Sequence, residues 1–178
     1  MAKRALATDP LSVLLSEDTG LAYYLARRYD EALRQYQETI RMDPNYASAH
    51  ISIGIVYEQK GMFDEALAAY QKAVNASERT SGILAALGHT YAVSGRRGEA
   101  LKILDELKEM SEQKYVSPYD LAVPYTGLGE NERATEQLGK AHKERAGWII
   151  NLKVEPRFDP LRSDPRFADQ LRRIGLPR

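Results

Sequence analysis

Three histidines, His50, His89 and His142, are the first residues to weigh for chemistry, because the chain has no cysteine. Without cysteine there is no disulfide, no thiolate metal site and no thiol nucleophile. None of the histidines has a second histidine or a carboxylate at metal-ligand spacing. His50 reads as a packing residue and His142 as part of a helix surface. The carboxylates Glu17, Asp18, Asp30 and Glu31 carry the spacing of ordinary solvated helix pairs rather than of an acid–base couple. Serines and threonines are scattered without a base. The sequence thus points to no catalytic residue, no cofactor and no metal, and to a chain that is not an enzyme. Twenty-five basic residues balance twenty-five acidic ones, so no net field favours nucleic acid. No stretch approaches the roughly 20 apolar residues of a membrane span.

What positions these residues is a repeat. Stepping by 34 residues from Gly54 reaches Gly20, Gly88 and Ala122, and stepping from Tyr57 reaches Tyr23, Tyr91 and Tyr125. Gly61 maps to Gly95 and Gly129 and fails only at Arg27. Ala66 maps to Ala32, Ala100 and Ala134; Tyr70 maps to Tyr36, Leu104 and Leu138. No insertion interrupts the register. Small residues in the Gly54 and Ala66 columns allow two helices to approach closely. The Gly61 column suits a residue of positive φ just past a helix end. Between these punctuation points, segments such as "FDEALAAYQKAV" carry apolar residues at helical spacing.

These columns resemble the tetratricopeptide repeat (TPR): a small residue, a tyrosine three later, a glycine four after that, then alanine and a large apolar residue. The resemblance covers residues 13–146 and implies an all-α fold, a right-handed superhelix (α-solenoid) of antiparallel hairpins in four copies, 13–46, 47–80, 81–114 and 115–148. Residues 1–12 then read as the second half of a truncated preceding repeat, and 147–178 as C-terminal capping helices. In the cap, Asp159-Pro160 and Asp164-Pro165 each read as an N-cap followed by proline at the first helical position, and Gly175 as a C-cap. The arginines and aspartates of this tail read as a paired, solvated face. Pro124 should disturb the first helix of the fourth copy, leaving that hairpin the least regular. "YVSPYDLAVPYTGLGENERA" and "GWIINLKVEPRFDPLRSDPRF" are similar to the C-terminal end of TPR arrays in bacterial regulators, where an array follows a winged-helix, receptor Ser/Thr kinase or cyclase domain.

The family binds peptides on its concave surface. Carried over by column, the resemblance places Leu21, Tyr24, Leu25, Ile51, Ile55, Glu58, Ala86, His89, Tyr119 and Val123 in that partner-binding groove. Glu17, Leu21, Ile55 and Ala86 stand where one subfamily keeps donors for a C-terminal carboxylate, so that clamp is missing. What the resemblance implies is a protein–protein interaction module that takes an apolar or mildly basic peptide, as the sensory or scaffolding part of a larger bacterial signalling protein. The alternative is a homo-oligomer stacking through its open N-terminal end. A protein or peptide partner is expected, with no nucleic acid and no membrane insertion by this segment. Its compartment would be the cytoplasm, or the periplasm if the parent is a membrane-anchored regulator.

Overall fold

The computed structural model describes residues 10–176, which form helices joined by short turns, with no strand among them. Eight helices alternate along the chain: α1 Pro10–Leu25, α2 Tyr29–Met42, α3 Ala47–Gln59, α4 Phe63–Ala76, α5 Ser81–Val93, α6 Arg97–Gln113, α7 Pro118–Gly127 and α8 Asn131–Lys143. Two 3₁₀ segments, η1 (Gly147–Asn151) and η2 (Pro156–Leu161), and a last helix α9 (Pro165–Ile174) complete the fold. Each odd helix packs antiparallel on the even helix that follows it, giving four hairpins stacked in order. The result is an all-α solenoid. Residues 1–9, on which most of the expected truncated repeat falls, lie outside the described residues; Pro10 already belongs to α1.

Each repeat column has a visible physical role. At every hairpin turn a backbone N–H reaches back to the carbonyl of the column tyrosine: Arg28 to Tyr23, Met62 to Tyr57, Arg96 to Tyr91 and Glu130 to Tyr125. This six-to-one bond ends a helix by turning one residue left-handed. Gly61, Gly95 and Gly129 take that conformation at φ 73°, 80° and 74°, and Arg27 takes it at φ 60° without the freedom of glycine. The Gly54 column serves close approach. A Cβ built on Gly54 would stand 2.3 Å from Tyr70 Cε1, and one on Gly20 would stand 2.5 Å from Tyr36 Cε1. Tyr36 and Tyr70 are fully buried, and each ring occupies the space where a side chain on the facing glycine would be.

The third and fourth hairpins depart from this pattern. Their first helices, α5 and α7, pack against each other along their length, whereas α1, α3 and α5 only touch. Small residues permit it: a Cβ on Gly127 would lie 3.0 Å from Ala92 Cβ, and one on Gly88 would lie 3.1 Å from Pro124 Cβ. Pro124 sits inside α7, which at 10 residues is the shortest helix among α1–α8. The close pair buries Ile83 through Thr90 without a break.

The tail folds back. Ile149, Leu152, Phe158, Leu161, Phe167 and Leu171 are buried in one core with Tyr119, Leu138 and Ala141. Asp164 caps α9 as expected, accepting from Arg166 N at 2.9 Å with Pro165 at the first position, and Gly175 ends the helix at φ 83°. Asp159-Pro160 does not start a helix. Glu155 caps η2 instead, followed by Pro156, and Pro160 falls inside the segment.

Candidate functional site on the concave face

The concave face is crossed from within by the chain's own tail. Glu155 at the start of η2 accepts a hydrogen bond from the Tyr24 hydroxyl of α1 at 2.5 Å, across 131 positions of sequence. Two residues on, Arg157 meets the same carboxylate through Nε (2.9 Å) and Nη2 (3.2 Å). Phe158 then stands edge-on to Tyr119 of α7, ring centroids 5.5 Å apart. Asp159 closes the crossing with a two-pronged ion pair to Arg27, at 2.7 and 2.8 Å. Residues 155–159 therefore tie the first hairpin to the fourth across the inner face.

This crossing divides the groove into two hollows. The first, about 200 Å³, has apolar walls from Leu21, Ile51, Ile55 and Val123, and is lined also by Tyr24, Tyr119, Asp120, Glu155 and Arg157, with Trp148 half exposed beside it. The second, about 330 Å³, is lined by Glu58, His89, Thr126, Pro156, Arg157 and Asp159. Of the residues expected in the groove, Leu21, Tyr24, Ile51, Ile55, Tyr119 and Val123 gather at the first hollow, and Glu58 and His89 at the second. Ala86 lies in neither: it packs against Ala66, Tyr70 and Ile83 in the hairpin core. Leu25 lines neither and packs with Tyr24 and Leu33.

Several charges at the hollows are satisfied locally. Glu58 is buried; Thr90 donates to it, and His89 Nδ1 stands 2.9 Å from its Oε1 without the alignment of a directed hydrogen bond. Burial opposes the Glu58 charge, but His89 and Thr90, with Arg157 farther off, outweigh it and hold the carboxyl below its ordinary range. Glu155 follows the same logic: burial works against its charge, and Arg157 and Tyr24 overcome it. Glu17 accepts from Tyr46 and Ser48. Asp120 differs. It accepts from Ser81 Oγ at 2.7 Å, yet burial still lifts its carboxyl above the ordinary range. The Tyr119 hydroxyl, on a residue 3% exposed, makes no aligned hydrogen bond, with the Arg157 guanidinium near it.

Glu155, Arg157 and Asp159 are the site residues that column reading does not reach, since they lie beyond the last repeat. The one available signal was Arg27, where the glycine column fails. The expected paired surface of the tail is correct for Arg162 with Asp159, Arg166 with Asp164 and Arg172 with Asp169. It is wrong for Arg157, which is buried. His50 is a packing residue, its Nε2 lying 3.0 Å from the Pro44 carbonyl oxygen.

A tetratricopeptide repeat family profile matches residues 17–81. No curated protein matches the chain. Solved structures do. Pseudomonas aeruginosa pilF aligns at TM-score 0.56 and 20% identity over 92% of this chain and 76% of that one. PilW, described as a widely conserved type IV pilus biogenesis factor, aligns at 0.56 and 14% identity over 94% and 72%. A tetratricopeptide repeat protein from Parabacteroides merdae ATCC 43184 aligns at 0.52 and 16% identity over 97% and 68%. At these identities the likeness is one of fold. With the family match and the tyrosine-carbonyl turn repeated at each of four hairpins, the chain contains a tetratricopeptide repeat domain folded as an α-solenoid.

Proposed function

We propose that this domain is a protein-interaction module that binds a short partner segment in the first concave hollow. The observation that carries the reading is the hollow itself: Leu21, Ile51, Ile55 and Val123, from three different hairpins, converge on about 200 Å³. Convergent apolar walls with a few polar groups are how proteins hold ligand side chains. The crossing by residues 155–159 limits the partner to a local grip rather than a long extended run along the groove. TPR proteins are in general interaction modules without catalysis. The array would serve as the sensory or scaffolding part of a bacterial signalling protein, a reading that rests on the resemblance of the tail to such regulators. Among the described residues no helix is long and apolar enough to cross a membrane.

The test is selection from a positional-scanning library of N-acetylated, C-amidated hexapeptides, followed by fluorescence polarisation on the selected peptides. Ser52→Arg, which drives a long side chain into the hollow, should abolish binding while helical content stays unchanged. Selected peptides that bind the variant as well as the wild type would sink the reading.

Self-association is a second reading, favoured by one observation. Leu15 is 58% exposed, whereas its counterparts one and two periods on, Ala49 and Ile83, are 0% exposed. Ala22 is likewise exposed, while Val56 and Thr90 in its column are fully buried. This face of α1 is the one that stacking covers in later hairpins, and a second copy would cover it here. Light scattering across a hundredfold concentration range decides it, a constant monomer mass being the refuting result.

A further inference from the structure

The first hollow carries a charge that the fold does not neutralise. Three ionisable acids and bases line it: Asp120, Glu155 and Arg157. Arg157 commits Nε and Nη2 to Glu155, so those two cancel and Asp120 is left over. Among the described residues its side-chain hydrogen-bond partner is the neutral hydroxyl of Ser81, and Arg157 acts on it only through space. One residue away, Tyr119 presents a buried hydroxyl that makes no aligned hydrogen bond, although the Arg157 guanidinium stands near it, and such a group gains when a ligand pairs with it. The apolar walls define the rest. A cavity of about 150 Å³ accommodates a benzene-sized group, so 200 Å³ suits a single leucine, methionine or phenylalanine side chain.

Resting on the proposed concave binding, we propose that the hollow takes a peptide segment in which one large apolar side chain fills the space between Leu21, Ile51, Ile55 and Val123. The cation of an adjacent lysine or arginine pairs with Asp120, and the Tyr119 hydroxyl bonds the segment's backbone. The raised carboxyl of Asp120 agrees with this, since burial outweighs what Ser81 and Arg157 offer it and an incoming cation would stabilise the anion further.

The experiment uses the full chain and the same hexapeptide library. Wild-type protein should select a large apolar residue beside lysine or arginine. For a selected peptide, replacing that lysine by glutamine should weaken binding about tenfold, the scale of one charge-assisted contact. Asp120→Asn should erase the lysine-over-glutamine preference. Tyr119→Phe should weaken both peptides equally. If Ser52→Arg abolishes binding while Asp120→Asn keeps the lysine preference, the cation pairing is wrong and the concave site stands. If the wild type selects nothing, or its peptides ignore Ser52→Arg, the concave site itself is wrong.

Discussion

Removing Glu155 should cost more stability than removing any other surface or tail carboxylate, and the structure says why. The residue is 1% exposed and performs three tasks: it caps η2 by accepting from Arg157 N at 3.3 Å, it pairs with the Arg157 guanidinium, and it accepts from the Tyr24 hydroxyl. Glu155→Ala strands Arg157, 8% exposed, without its counter-ion, and breaking a buried pair in this way costs about 3–5 kcal/mol. Tyr24→Phe keeps the ring and removes only a hydrogen bond to a charged group, worth about 1.5–3 kcal/mol. The double replacement Glu155→Leu with Arg157→Met should cost less than Glu155→Ala alone, because neither charge is left unpaired. Urea unfolding is the assay, followed by circular dichroism and by fluorescence. The single tryptophan, Trp148, lines the same hollow as Glu155 and reports the tail directly. A loss below about 1 kcal/mol for Glu155→Ala, or a double variant worse than the single, would refute the account of the crossing as a paired, buried tie.

Gly54→Ala should destabilise by about 1–3 kcal/mol, since its Cβ would stand 2.3 Å from an immobile Tyr70 ring, whereas Gly98→Ala, with nothing within 4 Å, should be neutral or stabilising in thermal melts. Glu58 and Glu155 both have folded-state values below the ordinary 4.5, so their contribution is complete above that value and is lost as pH falls through the folded values. Glu155→Gln should therefore flatten the acid limb of a stability-against-pH curve. Asp120 has the opposite sign: its raised carboxyl penalises folding at neutral pH and ceases to do so below about 3.8, so Asp120→Asn should raise the melting temperature at pH 7. A lower melting temperature for that variant would mean the carboxylate holds the fold and is not held in reserve for a ligand.

The solenoid was legible because its causes recur at one period. A small residue where two helices meet, glycine against tyrosine in the first two copies, and a tyrosine carbonyl that accepts the turn's N–H recur every 34 positions. The hollow was half legible, since the positions carried over from the resemblance include Ile51, Ile55 and Val123. The groove's electrostatics were not. Whether Glu58 is an open groove charge or a satisfied core group depends on His89 and Thr90, 31 and 32 residues away on the next hairpin. Ala86 was misplaced for a related reason. The residue is 1% exposed and packs against Ala66 and Tyr70 of α4, and contact between successive hairpins is not written in any single column.

Arg27 shows how a broken column can itself be information. Three copies of the turn use glycine at positive φ, and the fourth bears an arginine there at φ 60°, a conformation that strains a residue with a Cβ by about 1–2 kcal/mol. Its exposed ion pair with Asp159 is worth only about 0–1 kcal/mol, so on stability alone glycine would be the better residue. Arg27→Gly should accordingly be neutral or mildly stabilising, and Arg27→Ala, which keeps the strain and loses the pair, should be the less stable of the two by about 1 kcal/mol. What the arginine contributes is placement: it fixes Asp159, and with it the end of the segment that divides the groove. Arg27→Gly should therefore loosen the tail selectively, speeding amide exchange at Phe158–Leu161 while α3 and α4 stay protected. Equal exchange across both regions would show that the arginine has no such role.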